Sequence, residues 1–203
     1  MRTRVIGTRR SSRSPRGHRG DPTTFSRRLD DREQGFINFR DFDFDNPGDH
    51  GYRWVDLKHF GFSSGSSDDG DASDDRRLLA ALIADVRFRD DYAGGGVEPA
   101  GTRHGPYWLD RVSVDAYRPV DEATADGILC GWACRYGTVP GALRDRLERE
   151  VHALVRAATG RYLLRDLGES EFHDWGGVHG EFHELVLVDR TARTLTLIVA
   201  ADD

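Results

Sequence analysis

The densest concentration of chemically able side chains lies in EFHDWGGVHGEFHE, residues 171–184. It gathers His173, His179 and His183 with Glu171, Asp174, Glu181 and Glu184. Neutral imidazoles and carboxylates are ligands for zinc and related divalent metals, and three ligands with an open fourth position make a catalytic metal site. If residues 179–183 are extended, His179, Glu181 and His183 project to one face, because side chains alternate along a strand. The arrangement predicts His173, His179 and His183 as metal ligands, with Glu181 as general base or fourth ligand. The helical metalloprotease motif is excluded. It needs Glu directly after the first His, and Gly180 stands there instead.

Other chemistry is thinner. Asp43 and Asp69 each begin runs of acids that resemble a calcium loop. That loop needs Gly at position six and Glu at position twelve. Trp54 occupies position twelve of the first run. Asp74 and Ala80 occupy positions six and twelve of the second. No phosphate-binding G-x-x-x-x-G-K-[ST] motif, dinucleotide-binding G-x-G-x-x-G motif or G-x-S-x-G nucleophile elbow occurs. The two cysteines, Cys130 and Cys134, make neither a disulfide framework nor a zinc quartet, and are expected to be buried thiols. Cys134 as a nucleophile would need a histidine partner that the sequence does not place.

The elements that must hold these residues follow from hydrophobic period. Residues 36–44 and 52–58 alternate and read as two strands around the Asn46-Pro47-Gly48 turn. Residues 61–77 are a Gly/Ser/Asp-rich loop. Leu78, Leu79, Leu82, Ile83 and Val86 form one stripe of a helix beginning near Ser73. After a glycine-rich stretch at 92–106, residues 107–118 alternate again. Residues 128–136 fit a short strand or a helix equally. Leu143, Leu147, Val151, Leu154 and Ala158 predict a helix over 139–159, with Pro140 in its first turn and Gly160 as its cap. Three strands follow at 161–166, 183–189 and 194–201. The middle one is apolar on both faces and is expected at the centre of its sheet. Hairpins outnumber crossovers, so the predicted class is α+β: an antiparallel sheet with two helices packed on one face, after a disordered Arg-rich N-terminal tail.

Charge divides the chain. Ten of its 29 basic side chains, but only four of its 35 acids, fall in residues 1–34. Residues 1–34 read as a disordered basic tail or an over-extended start, and 35–203 as one domain. The acidic body excludes nucleic-acid binding except through the tail. No 18-residue apolar run exists, which excludes a membrane-spanning helix. The absence of a secretory signal pattern points to the cytoplasm. The leading functional expectation is a non-catalytic, inhibitor- or immunity-like module whose acidic surface meets a basic protein. The second is a metal-dependent hydrolase built on residues 173–183.

Overall fold

The computed structural model describes residues 29–45, 52–63 and 72–202. Six strands form one antiparallel sheet in the order β1-β2-β8-β7-β6-β5. They are β1 (Leu29–Asn38), β2 (Trp54–Phe62), β5 (Tyr117–Pro119), β6 (Gly160–Leu164), β7 (Glu181–Asp189) and β8 (Thr194–Asp202). A two-residue ladder, β3 (Arg103–His104) with β4 (Tyr107–Trp108), stands apart. The helices are α1 (Ala72–Ala84), α2 (Glu122–Ala133), α3 (Gly141–Leu147) and α4 (Ala153–Ala157). One π turn, Glu148–His152, joins the last two into a single rod.

The α+β class and the antiparallel sheet are as the sequence predicts. β7 is internal, and both its faces are covered because apolar residues run without a break from Leu185 to Val188. Alternation sorts them: Leu185 and Leu187 join one core with Ile198 and Ala200, and Val186 and Val188 join another with Leu197 and Val199. Two helical elements do share one face, α2 and the α3–α4 rod. The helix read from Leu78, Leu79 and Leu82 covers the opposite face as α1.

Several boundaries move for local reasons. β1 starts at Leu29, so residues 29–34, expected within the tail, form the first part of an edge strand. Residues 1–28 lie outside the described residues, as does the Asn46–Gly48 turn. β1 ends at Asn38, whose side chain accepts from the Arg40 amide at 3.0 Å and starts a 3-10 turn. Phe42 and Phe44 still pack on the core from beyond that turn. Residues 109–116, expected as strand, hold two 3-10 turns. Residues 128–133 belong to α2, begun by Asp121, which accepts from the Thr124 amide at 2.8 Å. Trp132, Leu129 and Ala125 face inward from α2, which turns Cys130 and Cys134 outward. Both thiols are exposed, contrary to expectation. The rod ends at Ala157, and Gly160 opens β6 instead of capping the helix.

Candidate ligand-binding site

β2 presents Trp54, Asp56 and Lys58 on one face of the sheet, two residues apart each time. Lys58 is the only lysine in the chain. Its stem passes into the core, and its side chain is 3% exposed. Burying an ammonium is tolerable only with partners. The Nζ donates to Asp90 Oδ2 at 2.7 Å and to the Arg87 carbonyl at 3.0 Å, and lies 4.4 Å from the Tyr92 ring centroid. Both acceptors sit just beyond α1, where Asp85 caps a 3-10 turn at Val86–Phe88 and brings the chain over β2.

Asp90 then folds the next segment back on itself. Its Oδ1 accepts from the Tyr92 amide at 2.9 Å, and Asp90 bridges to Val97 across a small flap. Tyr92 adopts φ +56°, a conformation costly for a side chain of this size. Gly94 and Gly96 take positive φ at the flap tip, where glycine is at ease. The flap, the base of β2 and residues Gln34 and Phe36 of β1 enclose about 440 Å³. That volume is within the range of small-molecule sites.

Aromatic rings form the wall. Phe36 stacks on Trp54 with centroids 6.0 Å apart, and Trp54 stacks on Tyr92 at 5.5 Å. Phe36 is half exposed, so the ladder runs from solvent into the core. Two polar atoms at its buried end have no hydrogen-bond partner: Asp56 Oδ2 and Tyr92 Oη. Asp56 Oδ2 lies 3.7 Å from Lys58 Nζ, an ion-pair distance beyond hydrogen-bond reach. Burial, and then the charge of Asp90, outweigh Lys58 and raise the Asp56 carboxyl to about 6. Burial also holds the Tyr92 phenol well above its usual range, reinforced by Asp56, Asp90 and Glu184. Both residues line the cavity, and buried polar atoms without hydrogen bonds are costly and uncommon.

The chain matches no protein-family model and no curated protein by sequence.

The histidine-rich segment has a different geometry. Residues 181–184 are extended, the first residues of β7, and His183 Nε2 lies 3.4 Å from Glu181 Oε2. Glu181 is also ion-paired with Arg135. His179 bonds the Asp91 carbonyl through Nε2 at 2.9 Å. His173 bonds the Gly105 carbonyl through Nε2 at 2.7 Å and accepts from the Trp175 amide on Nδ1 at 3.0 Å. A carbonyl can only accept, so Nε2 carries the hydrogen and His173 has no lone pair left for a metal. Burial lowers the basicity of both His173 and His183. Among the described residues, the one set of three metal-ligating groups that draws together is Asp126, Cys130 and His152, not His173, His179 and His183.

His179, Glu181, His183 and Glu184 do line a common cleft of about 520 Å³, opened where β6 leaves β7. The two strands pair only from Gly160 opposite Val188 to Leu163 opposite Leu185. β5 pairs along the other edge of β6, from Tyr162 to Leu164. The floor of the cleft is knit shut. Both Glu184 oxygens are taken, by Tyr117 and by His104, and the other His104 nitrogen bonds the Phe88 carbonyl.

Sequence reasoning missed Lys58, Asp90 and Tyr92. One signal was available. A lone lysine inside an apolar alternation is a charge that the fold must bury with a partner.

Proposed function

We propose that this chain is a non-catalytic binding module for a planar cation of the guanidinium or amidinium type. The observation that carries this reading is the pair Asp56 Oδ2 and Tyr92 Oη, both buried without a hydrogen bond on residues that line one aromatic-walled cavity. Asp90 offsets the charge of Lys58, leaving the Asp56 carboxylate as the excess charge at the base. A flat cation would stack on the Trp54–Phe36 wall and turn its N–H edge to Asp56, with the phenol oxygen as a second acceptor. The group can arrive on a small molecule or on an arginine side chain of a basic protein. The second source keeps the acidic composition relevant, since the net charge is −6.

Calorimetric titration with benzamidine tests the small-molecule form, and an arginine-rich peptide tests the protein form. Benzoate and a lysine-rich peptide are the matched controls. Benzamidine binding is expected to weaken about tenfold per pH unit below the Asp56 midpoint, as the carboxylate is lost. Binding of the peptide alone would assign the source to a protein. Equal binding of benzoate, or binding unchanged in Asp56→Asn, would overturn the reading.

A further inference from the structure

A second cluster lies on the other face of the sheet, between α2 and the α3–α4 rod. Asp126 and Cys130 are one turn apart on α2 and share a face. His152 reaches them from the π turn. A π turn holds an extra residue, which shifts the register of the side chains after it, and such turns are frequent at functional sites. His152 Nδ1 lies 2.6 Å from Asp126 Oδ1. Cys130 Sγ lies 3.7 Å from Asp126 Oδ2 and 3.9 Å from His152 Nε2. One ligand atom from each residue falls within 4.8 Å of the others.

We propose that Asp126, Cys130 and His152 form a binding site for a borderline-soft divalent metal of the zinc class. The donor set decides the class. Thiolate, imidazole and carboxylate together suit Zn²⁺ or Co²⁺, whereas Mg²⁺ and Ca²⁺ take all-oxygen sites. Bonds of about 2.3 Å to sulfur and 2.0–2.1 Å to nitrogen put tetrahedral ligand atoms roughly 3.3–3.6 Å apart. The metal-free cluster is wider than that by only a few tenths of an ångström along its sulfur edges. In the metal-free chain Asp126 Oδ1 accepts the Nδ1 hydrogen of His152, and the ion would open that bond to take both side chains as ligands.

The surroundings fit an open site. His152 is buried and fixed, Cys130 is exposed and Asp126 is partly exposed, so the remaining coordination positions face water. A thiol ligates as thiolate, so binding releases a proton and strengthens as pH rises. The ion would clip α2 to the rod and stabilise the fold through linkage.

The test is a Co²⁺ titration of the whole chain, reading the near-ultraviolet sulfur-to-cobalt charge-transfer band, followed by displacement with Zn²⁺. One Co²⁺ per chain, with the band lost in Cys130→Ser and kept in Cys134→Ser, is the expected result. Asp126→Asn should weaken binding about 10–100-fold. His152→Gln should abolish the band while circular dichroism reports whether the variant remains folded. No band in the wild-type chain, or a band that follows Cys134 in place of Cys130, would overturn the proposal.

Discussion

The histidine-rich segment and the Lys58 cavity are built from similar parts, yet they resolve their polar groups in opposite ways. Between residues 173 and 184, a carbonyl and a backbone amide hold the two nitrogens of His173, an arginine holds the carboxylate of Glu181, and the Tyr117 hydroxyl and the His104 imidazole hold the two oxygens of Glu184. In the cavity, Lys58 and Asp90 are satisfied, but Asp56 Oδ2 and Tyr92 Oη are left at the end of an aromatic wall. A dense run of ligand-type residues is therefore not a site by virtue of density. Groups bonded within the chain have spent their capacity to bind anything else. The partnerless ones are those a ligand can reward.

The largest test of this contrast is Lys58→Met. It removes the cation from a buried pair and leaves Asp90 and Asp56 facing each other. Loss of one partner from such a pair costs about 3–5 kcal/mol, read as a shift in urea midpoint. A loss below about 1 kcal/mol would show that water reaches the pair and that the cavity base is not dry.

Asp56 comes next, through pH. Its carboxyl is raised from 3.8 to about 6 in the folded chain. Between those values the folded state holds the proton more tightly than the unfolded chain, so stability falls as pH rises and levels off above about 6. Asp56→Asn should remove that fall, worth on the order of 2–3 kcal/mol before allowance for partial solvation. Denaturation midpoints of both proteins across pH 4–7 would show it. Parallel curves would mean that Asp56 carries no such strain.

Tyr92→Phe sharpens the comparison because its expected sign is unusual. Deleting a buried tyrosine hydroxyl normally costs stability. Here the hydroxyl has no partner to lose, so its removal should leave stability unchanged or raise it by about 1 kcal/mol, while weakening benzamidine binding. A loss of 1 kcal/mol or more in thermal or urea unfolding would reveal a bond to that oxygen.

These two regions also mark what a sequence shows of itself. Period two gave β7 and β8 almost to the residue, because Leu185–Val188 can be buried on both faces only inside a sheet. The rod over 141–157 was legible from Leu143, Leu147 and Val151, although its π turn was not. α2 was ambiguous because its inward stripe is short and its outward face carries cysteines, which are usually buried. The division of helices between faces was hidden, since a stripe says that a helix is covered but not from which side. The site was hidden for a stronger reason. Lys58 and Asp90 meet across 32 residues, and their contact depends on a 3-10 turn and a flap with no hydrophobic period. The Asp126–His152 contact likewise spans 26 residues.

The smallest expected effect belongs to His183, and its direction separates the two regions. Its side chain is about one-third exposed, and its distance from Glu181 is long for a hydrogen bond. His183→Gln should therefore change stability near pH 7 by no more than about 0.5 kcal/mol. Acid is another matter. Burial lowers the folded-state pKa of His183 below 6.5, with Arg135 adding to the effect and Asp202 opposing it. The unfolded chain then binds the proton more readily, so this residue makes stability fall as pH drops below 6.5. His183→Gln should gain on the wild-type chain in that acid window, where Asp56→Asn loses its advantage. The two difference curves must slope in opposite directions. If His183→Gln instead loses ground in acid, the imidazolium is stabilised by Glu181 or Asp202, and the histidine-rich segment holds an active charge pair after all.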